Sequence, residues 1–387
     1  MIAGAGPAGS ALAIRLAHAG FSVTIIEREK FPRHKLCGEF ISPECMRHFD
    51  ELGVSPQLLG LGGRRIDETH FYSMSGRKAV VPSDWLGSGP ALSLSRAAMD
   101  EQLLRAAESL GVTVHEETAV SGIETDGRAV TGVVTRSGTE NGRVVGDIVI
   151  DATGRAAMLS KFASRELSAR PIRVRPYLIG FKTHLSDVTF ARDVCDIYSF
   201  PGGYGGLSPI EGGSANLCFL VRADEARKLG SDADRIVREM VMRNPRAREA
   251  LAEMNRAAPW LAVAVAAFGE RKTDELSGLF SIGDAASFID PFTGSGMLMA
   301  LESAEIMASC LIEHSYDLSI LASAYRKVYA ARFKKRLAVC RLLRFASMNP
   351  LLASTAITGL GFSAKIGKRI ARLTRSDVAN GSGHVPR

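Results

Sequence analysis

Three glycines near the start of the chain constrain its fold more than any other feature. The sequence MIAGAGPAGSALAIRLAHAG has the spacing G-x-G-x-x-G, which is typical of the turn between the first strand and the first helix of a nucleotide-binding βαβ unit. In such a turn, Gly4 allows the tight bend, Gly6 lets the backbone approach a phosphate, and Gly9 lets helix and strand pack closely. The motif therefore predicts an α/β fold with a phosphate-binding helix N-terminus.

The residues that follow complete the βαβ pattern. Residues 10–19 predict a first helix that Gly20 ends, and FSVTIIE, residues 21–27, predicts a β-branched second strand. That strand ends in Glu27, where nucleotide sites place a carboxylate for ribose hydroxyls. The alternative is a solvent-exposed acid at a strand end. Because glycines, strand and acid occur together, we predict a nucleotide site.

Composition narrows the class of protein. The chain has 387 residues, 46% of them hydrophobic and 23% charged, as in an ordinary globular protein of one or two domains. Its six cysteines form no C-x-x-C pair, so neither a zinc ribbon nor a disulfide framework is expected, and the reducing cytoplasm is the expected location. No signal peptide and no apolar run of membrane-spanning length is visible. Only residues 1–3 precede the glycine turn, so we expect the natural chain to start upstream of Met1.

Further nucleotide-type segments are spread along the chain. A loop rich in Gly and Pro, EKFPRHKLCGEFISPEC, follows the second strand, where a simple dehydrogenase has a helix. A predicted helix spans about 96–110, and an apolar strand leads into DATGR at residues 151–155. Another strand precedes Gly283-Asp284, and a long helix is predicted to begin near Ser295.

In this order the segments resemble the flavoprotein family that includes p-hydroxybenzoate hydroxylase, geranylgeranyl reductase and the flavin-dependent halogenases. The resemblance runs from the first residues to about Leu311. It implies an α/β fold, with a Rossmann-like FAD-binding domain, an inserted antiparallel β-sheet substrate domain and a helical C-terminal region. The implied limits are 1–162 for the first part of the FAD-binding domain (with a small substrate-domain contribution near 66–93), 163–272 for the substrate domain, 273–311 for the closing part and 312–387 for the helical region.

The resemblance also implies which residues bind FAD. The glycine turn and Glu27 would hold the ADP half, Arg96 would lie near the pyrophosphate, and Asp284 would bind the ribityl chain. As alternatives, Arg96 only starts a helix and Gly283-Asp284 only forms a turn. The implied cofactor-binding residues are Gly4, Gly6, Gly9, Glu27, Arg28, Arg96, Gly283, Asp284, Pro291, Gly294, Ser295, Gly296 and Met297. No metal site is predicted.

The segment DPFTGSGMLMALESAE shows why a flavin needs such a sequence. Reduction places negative charge on one edge of the flavin, and a helix N-terminus directed at that edge stabilises the charge. Pro291 ends the preceding loop, while Gly294 and Gly296 remove side chains so that the ring can approach the backbone. The alternative is a flexible loop before a core helix.

Two motifs bear on the substrate side. Geranylgeranyl reductases carry P-x-x-Y-x-W-x-F-P; in PGGYGGLSP the residues Pro201, Tyr204 and Pro209 match, but Gly206 and Ser208 replace the aromatic residues. Tyr204 and Gly206 also replace both tryptophans of the halogenase motif W-x-W-x-I-P, so halogenation is not expected. The glycine predicts extra volume beside the flavin, unless the stretch is a surface turn.

A second motif is Lys35-Leu36-Cys37-Gly38, which resembles the K-x-C-G pattern that brings a cysteine near the flavin in the reductases. Cys37 and Tyr204 are therefore the candidate catalytic residues, with Cys37 a proton donor if Lys35 lowers its pKa. The alternative for Cys37 is a small buried hydrophobic residue. The short DATGR form also occurs in reductases and halogenases, and no second glycine motif predicts a nicotinamide domain. NADPH or another reductant is the expected electron donor.

From about Ser319, helical patterns interleave basic and apolar residues. They predict either a peripheral membrane contact or a helix whose apolar face covers the substrate cavity. The polar tail, residues 376–387, is expected to fray. No aromatic–basic patch predicts nucleic-acid binding.

The sequence thus predicts an FAD-dependent oxidoreductase acting on an apolar small molecule, most like a geranylgeranyl reductase. One alternative is a flavin monooxygenase that hydroxylates an aromatic or lipid-like substrate. Another is a non-catalytic flavin-binding or membrane-associated interaction protein.

Overall fold

The computed structural model describes residues 1–127, 129–167, 176–265, 268–271, 276–362 and 364–375. The predicted domain limit at 272–273 and the predicted frayed tail lie outside the described residues. The strands are β1 (Ile2–Ala3), β2 (Thr24–Ile26), β3 (Phe40–Ile41), β4 (Arg64–Ile66), β5 (Glu68–Tyr72), β6 (Lys78–Pro82), β7 (Ala91–Ser93), β8 (Thr113–His115), β9 (Ala119–Asp126), β10 (Ala129–Ser137), β11 (Glu140–Val145), β12 (Val149–Asp151), β13 (Leu178–Ser186), β14 (Val194–Phe200), β15 (Gly203–Pro209), β16 (Ala215–Arg222), β17 (Asn255–Arg256), β18 (Leu261–Val265), β19 (Gly269–Glu270), β20 (Leu279–Ser281) and β21 (Ser287–Phe288).

The helices are numbered separately from the strands, in chain order. They are α1 (Pro7–His18), α2 (Glu44–Glu51), α3 (Ser55–Gly60), α4 (Arg96–Ser109), α5 (Met158–Glu166), α6 (Ala223–Lys228), α7 (Ala233–Glu239), α8 (Pro245–Ala250), α9 (Gly296–His314), α10 (Leu318–Ser347), α11 (Pro350–Phe362) and α12 (Ala364–Leu373). The predicted helices at 96–110, near 295 and from 319 are confirmed within one or two residues. Helix α1 begins before the predicted Ser10, because Pro7 fits the first helical position.

A five-stranded parallel sheet forms the centre of the nucleotide-binding part. Its order is β20-β12-β1-β2-β8, and every neighbouring pair is parallel. Helix α1 packs between this sheet and helices α4 and α9. Most of its residues are therefore buried. In a parallel sheet the loops after the strands meet along one edge, which is where such folds bind ligands. The predicted Rossmann-like α/β fold is confirmed.

An eight-stranded sheet forms the second layer. Strands β17, β13, β16, β15, β14, β5 and β6 follow one another in space, and β18 pairs with β13. All neighbouring strands are antiparallel except β14 and β5. Through this parallel pair, residues 68–82 join strands that lie more than a hundred residues later in the chain. The stretch PGGYGG belongs largely to β15, between β14 and β16. The surface-turn alternative for that stretch is therefore wrong.

Two of the helices after α9, α11 and α12, lie against the second layer, whereas α10 packs on α9. Helix α11 packs on β6 and on α10, and α12 packs on α10, α11 and β6. Within the described residues, no helix is both long and apolar enough to cross a membrane.

The buried side chain of Asn244 helps to join α8 to the second layer. Asn244 is fully buried, and its Nδ2 donates to the carbonyl oxygens of Tyr72, Ser73 and Ser199 at 3.0–3.2 Å. Its Oδ1 caps α8 by accepting from the N–H groups of Arg246 and Ala247. One amide thus satisfies five backbone groups from three segments of the chain.

We expect Asn244→Ala to lower the free energy of unfolding by about 2–4 kcal/mol, because it leaves a helix N-terminus uncapped and buried carbonyls unpaired. Urea unfolding monitored by circular dichroism measures this change. Asn255→Ala is the matched control, since the side chain of the exposed Asn255 donates to the exposed Asp187. Equal stability of the two variants would contradict the assignment.

Candidate functional site

One large cavity lies where the two layers and the C-terminal helices meet. Its volume is about 1240 Å³, above the range of about 300–1,000 Å³ usual for ligand pockets. The glycine turn and the loops after β2, β12 and β20 line one end. Strands β5, β14 and β18, together with α11 and α12, line the other end. The cavity therefore has room for a dinucleotide and a second molecule.

The glycine turn has the geometry that its spacing predicts. Gly4 has φ +104°, and a Cβ there would lie 2.4 Å from the Ala152 carbonyl oxygen. A Cβ on Gly9 would lie 2.0 Å from the Gly4 oxygen, so α1 can approach β1 only at a glycine. At Gly6 a Cβ would meet only two guanidinium groups at 3.9 Å, in the wall of the cavity. The turn thus exposes backbone to the cavity, as phosphate binding requires.

Glu27 lies at the carboxyl end of β2 and lines the cavity. It is 6% exposed, and its Oε2 accepts from the Ala5 N–H at 2.8 Å while Oε1 accepts from the Glu29 N–H at 3.0 Å. These bonds hold the carboxylate beside the glycine turn. Each oxygen keeps a further lone pair for a hydroxyl donor. The alternative of a solvent-exposed acid is wrong.

A buried aspartate holds two arginines at the glycine turn. Asp100 accepts from Arg96 through both oxygens, at 2.7 and 2.6 Å, and from Arg33 at 2.9 Å. Both guanidinium groups line the cavity near Gly6. Although burial opposes charge on Arg96, the Asp100 carboxylate raises its pKa. Sequence reasoning predicted Arg96 but missed Arg33 and Asp100; the i, i+4 spacing of Arg96 and Asp100 on a helix was the available signal.

Three further charged groups, Lys35, Asp284 and Arg155, lie in this wall. Burial lowers the pKa of Lys35 to about 8, and the neighbouring Arg33 and Arg96 add to that effect. Burial raises the pKa of Asp284, against the opposing influence of the nearby Arg155. Arg155, the last residue of DATGR, lines the cavity and was not predicted as a site residue. This end of the cavity, the cationic end, thus places several basic side chains where they could bind a polyphosphate.

The segment before α9 forms another part of the wall. Pro291, Gly294, Gly296 and Met297 line the cavity, and Gly294 has φ +61°. A Cβ on Gly296 would meet only Ile289, at 3.7 Å. Among the described residues no side chain caps α9. Its first N–H groups therefore carry the uncompensated partial charge of a helix N-terminus.

Not every predicted residue reaches the cavity. Gly4, Gly6, Glu27, Arg28, Arg96 and Asp284 line it, whereas Gly9, Gly283 and Ser295 lie behind its wall. The Gly283 N–H donates to Ser303 Oγ at 2.8 Å, and a Cβ on Gly283 would lie 2.9 Å from Ala8. Ser295 is fully buried, with its Oγ 2.7 Å from Thr293 Oγ1. These three residues support the wall from behind.

The two candidate catalytic residues have different surroundings. Cys37 lines the cavity, and its Sγ accepts a hydrogen bond from the Glu39 N–H at 3.4 Å. The Tyr204 hydroxyl donates a hydrogen bond to the Asp290 carboxylate. Burial, reinforced by Asp290, raises the pKa of Tyr204 well above its usual value. At neutral pH the Tyr204 proton therefore stays on its oxygen.

The space opposite Gly206 is smaller than the motif comparison predicts. Gly206 lines the cavity, but a Cβ there would lie 2.9 Å from Ile197 Cδ1. Ile197 on β14, directly across the ladder, occupies part of the volume that an indole would fill. The predicted opening is therefore partly refilled by an aliphatic side chain.

A buried charged group next to the K-x-C-G loop was missed altogether. The Glu39 carboxylate accepts from Lys182 Nζ at 2.5 Å, from His184 Nε2 at 2.7 Å and from the Arg96 N–H at 2.8 Å. The hydrogen bonds from His184 and Lys182 and the charge of Lys182 lower the pKa of Glu39, although burial alone would raise it. The group ties the loop after Cys37 to β13 and to the start of α4. No local spacing relates Glu39 to residues 143 and 145 positions later.

The low pKa of Lys35 predicts a pH dependence of FAD binding. An anionic pyrophosphate raises the pKa of a nearby ammonium, so above pH 8 binding takes up a proton and the affinity falls as pH rises. The dissociation constant, measured by fluorescence titration from pH 7 to 9.5, should rise above pH 8. Lys35→Met should bind FAD more weakly at pH 7 and lose this rise. Lys30→Met, at an exposed position, is the control; an unchanged pH profile in Lys35→Met would refute the role.

Comparisons with known proteins agree with this geometry. The FAD binding domain family model matches residues 1–318. The chain is 25% identical to tryptophan 2-halogenase from Chondromyces crocatus. The match covers 86% of this chain and 65%, just under two thirds, of the halogenase. It is 26% identical to digeranylgeranylglycerophospholipid reductase from Methanosarcina acetivorans, covering 87% of this chain and 80% of the reductase.

The fold itself is similar to that of flavin-dependent brominase Bmp2. That structure has a TM-score of 0.79 and 20% sequence identity, with 97% of this chain and 93% of the other covered. The family match covers most of the chain and includes all the loops that line the cationic end of the cavity. The chain belongs to the FAD binding domain family and is an FAD-dependent oxidoreductase.

Proposed function

We propose that this oxidoreductase acts on an apolar small molecule, most like a geranylgeranyl reductase that saturates carbon–carbon double bonds in a prenyl-type lipid. The observation that carries the proposal is the apolar end of the cavity. Its wall includes Phe71, Ile197, Val263, Ala353, Ile357 and Ile370. These side chains come from both the sheet and the C-terminal helices, so they would enclose an apolar chain and exclude water.

The cationic end fits FAD. We propose that Gly6 and the N-terminus of α1 approach the pyrophosphate, with Arg33 and Arg96 held there by Asp100. Glu27 would accept from the ribose hydroxyls, and Asp284 would accept from the ribityl chain. The bare backbone at Gly296 leaves space for a flat ring beside α9, since a Cβ there would meet only Ile289.

The chemistry follows from this arrangement. Bound FAD supplies hydride transfer, with NADPH or another reductant as the proposed electron donor. The chain places the apolar substrate against the ring, keeps water out and stabilises negative charge at the start of α9. We propose that Cys37 holds the proton that the second carbon of the double bond needs, because its Sγ lies in the cavity wall. Tyr204, hydrogen-bonded to Asp290, would hold this part of the cavity wall in place.

The relatives include both reductases and halogenases, and two considerations lead us to propose a reductase. The reductase from Methanosarcina acetivorans is named for a digeranylgeranyl lipid, whose isoprenoid chains are apolar. For halogenation, the two tryptophan positions of the motif carry Tyr204 and Gly206 instead. We therefore place the substrate among prenyl-type lipids and keep hydroxylation as the competing reaction.

Anaerobic turnover distinguishes the two reactions. The FAD-loaded protein, reduced with dithionite, is mixed with a geranylgeranyl lipid without oxygen, and the product mass is measured. A gain of two hydrogens for each saturated bond is expected. A product that forms only in air and gains one oxygen atom would instead establish the monooxygenase.

Cys37→Ala should lower that anaerobic rate by about 10²-fold, because it removes a positioned proton donor. The matched control is Cys310→Ala, since Cys310 is buried in α9 away from the cavity. FAD content is measured in both variants, so that lost binding is not mistaken for lost proton transfer. Equal rates in the two variants would remove Cys37 from the reaction.

We also propose a peripheral membrane contact through α10. Leu342 and Phe345 on this helix are each 69% exposed, next to the exposed Arg341. Apolar and basic side chains together favour an anionic bilayer surface. This face adjoins Leu343, which lines the apolar end of the cavity, so a lipid substrate would have a short path from bilayer to site.

Vesicle flotation tests this contact. The double variant Leu342→Ser/Phe345→Ser should bind phosphatidylglycerol vesicles at least about tenfold more weakly, because two exposed apolar side chains are lost. Val145→Ser is the control, since Val145 is 73% exposed on β11. Equal flotation of the double variant and the parent protein would sink the proposal.

A further inference from the structure

A buried arginine links the C-terminal helices to the segment before α9. Arg375 follows α12 and is only 7% exposed, yet it lines the cavity. Its Nη2 donates to the Thr293 carbonyl oxygen at 2.8 Å, and its Nη1 lies 3.5 Å from the Gly294 carbonyl oxygen. The side chain thus reaches across 82 positions of sequence to the turn that enters α9.

The turn that Arg375 contacts contains a left-handed glycine, Gly294. Gly294 has φ +61°, and a Cβ there would lie 3.1 Å from Phe40 and 3.9 Å from Arg375 Nη2. A left-handed glycine is a flexible point unless other groups fix it. The bond from Arg375 to the Thr293 oxygen fixes this turn, and with it the direction in which α9 begins.

The same guanidinium has one acidic neighbour, Glu44. Arg375 Nε lies 3.6 Å from Glu44 Oε1, an ion-pair distance. Among the described residues neither buried oxygen of Glu44 has a hydrogen-bond partner. Glu44 and Arg375 therefore interact through their charges. The electrostatic potential near the start of α9 depends on both residues.

We propose that Arg375 is a positioning residue that couples docking of α12 to the flavin, and that Arg375 and Glu44 act on its reduction with opposite sign. This inference rests on the proposed position of the flavin beside α9. The arginine adds positive charge to the end of α9 that already carries the positive pole of the helix. The glutamate offsets part of that charge. Reduction adds electrons to the ring, so the arginine favours the reduced form and the glutamate disfavours it.

The midpoint potential of bound FAD tests the inference without any substrate. Arg375→Gln should lower the ratio of affinities for reduced and oxidised flavin by about tenfold, a fall of about 30 mV for two electrons. Glu44→Gln should move the potential upward. Arg375→Lys keeps the charge and should recover much of the parent value. Arg372→Gln removes the same charge from an exposed position of α12 and should leave the potential unchanged.

Failure of this inference is distinguishable from failure of the proposed function. A parent protein that binds no FAD would remove the proposed site itself. A parent that binds FAD, with the potential unmoved in both Arg375→Gln and Glu44→Gln, overturns only the inference, and shifts of the same sign in both variants do so as well. If Arg375→Gln fails to fold, the pair Glu44→Gln and Arg375→Lys still decides the outcome, since the inference predicts an upward shift in the first and a small shift in the second.

Discussion

The contact between α1 and β1 determines where everything else in the site can lie. A side chain on Gly9 would run into the Gly4 oxygen, and one on Gly4 would run into Ala152 at the end of β12. With both absent, helix and strands approach closely enough that three loops of the parallel sheet open onto one cavity. The phosphate-binding turn and the carboxylate of Glu27 then face the same space.

The fold was predictable where a local spacing carries the information. The glycine motif, Glu27 and the helix at Arg96 are each defined by neighbours a few residues away, and periodicity reveals such relations. Long-range pairing has no such signal. The parallel pairing of β14 with β5 joins distant segments, and nothing near Tyr204 indicates that its hydroxyl donates to Asp290, 86 positions later.

Glycine-rich stretches are ambiguous in a sequence for the same reason. The glycines of PGGYGG are compatible with a turn, yet most of them lie in a buried strand. A Cβ on Gly203 would lie 2.2 Å from the Leu220 oxygen, and one on Gly205 would lie 2.6 Å from Phe219 Cβ. These glycines allow neighbouring strands and their side chains to pack closely. Ile197 partly fills the space at Gly206, so a motif difference at one position is compensated by a residue on another strand.

The walls of the cavity come from segments as far apart in the chain as Gly4 and Arg375. Synthesis proceeds from the N-terminus, so the glycine turn can form before the helices that close the apolar end are made. A nascent chain can therefore present the dinucleotide half of the pocket before its hydrophobic half exists. The apolar part of the cavity can close only after α12 has left the ribosome.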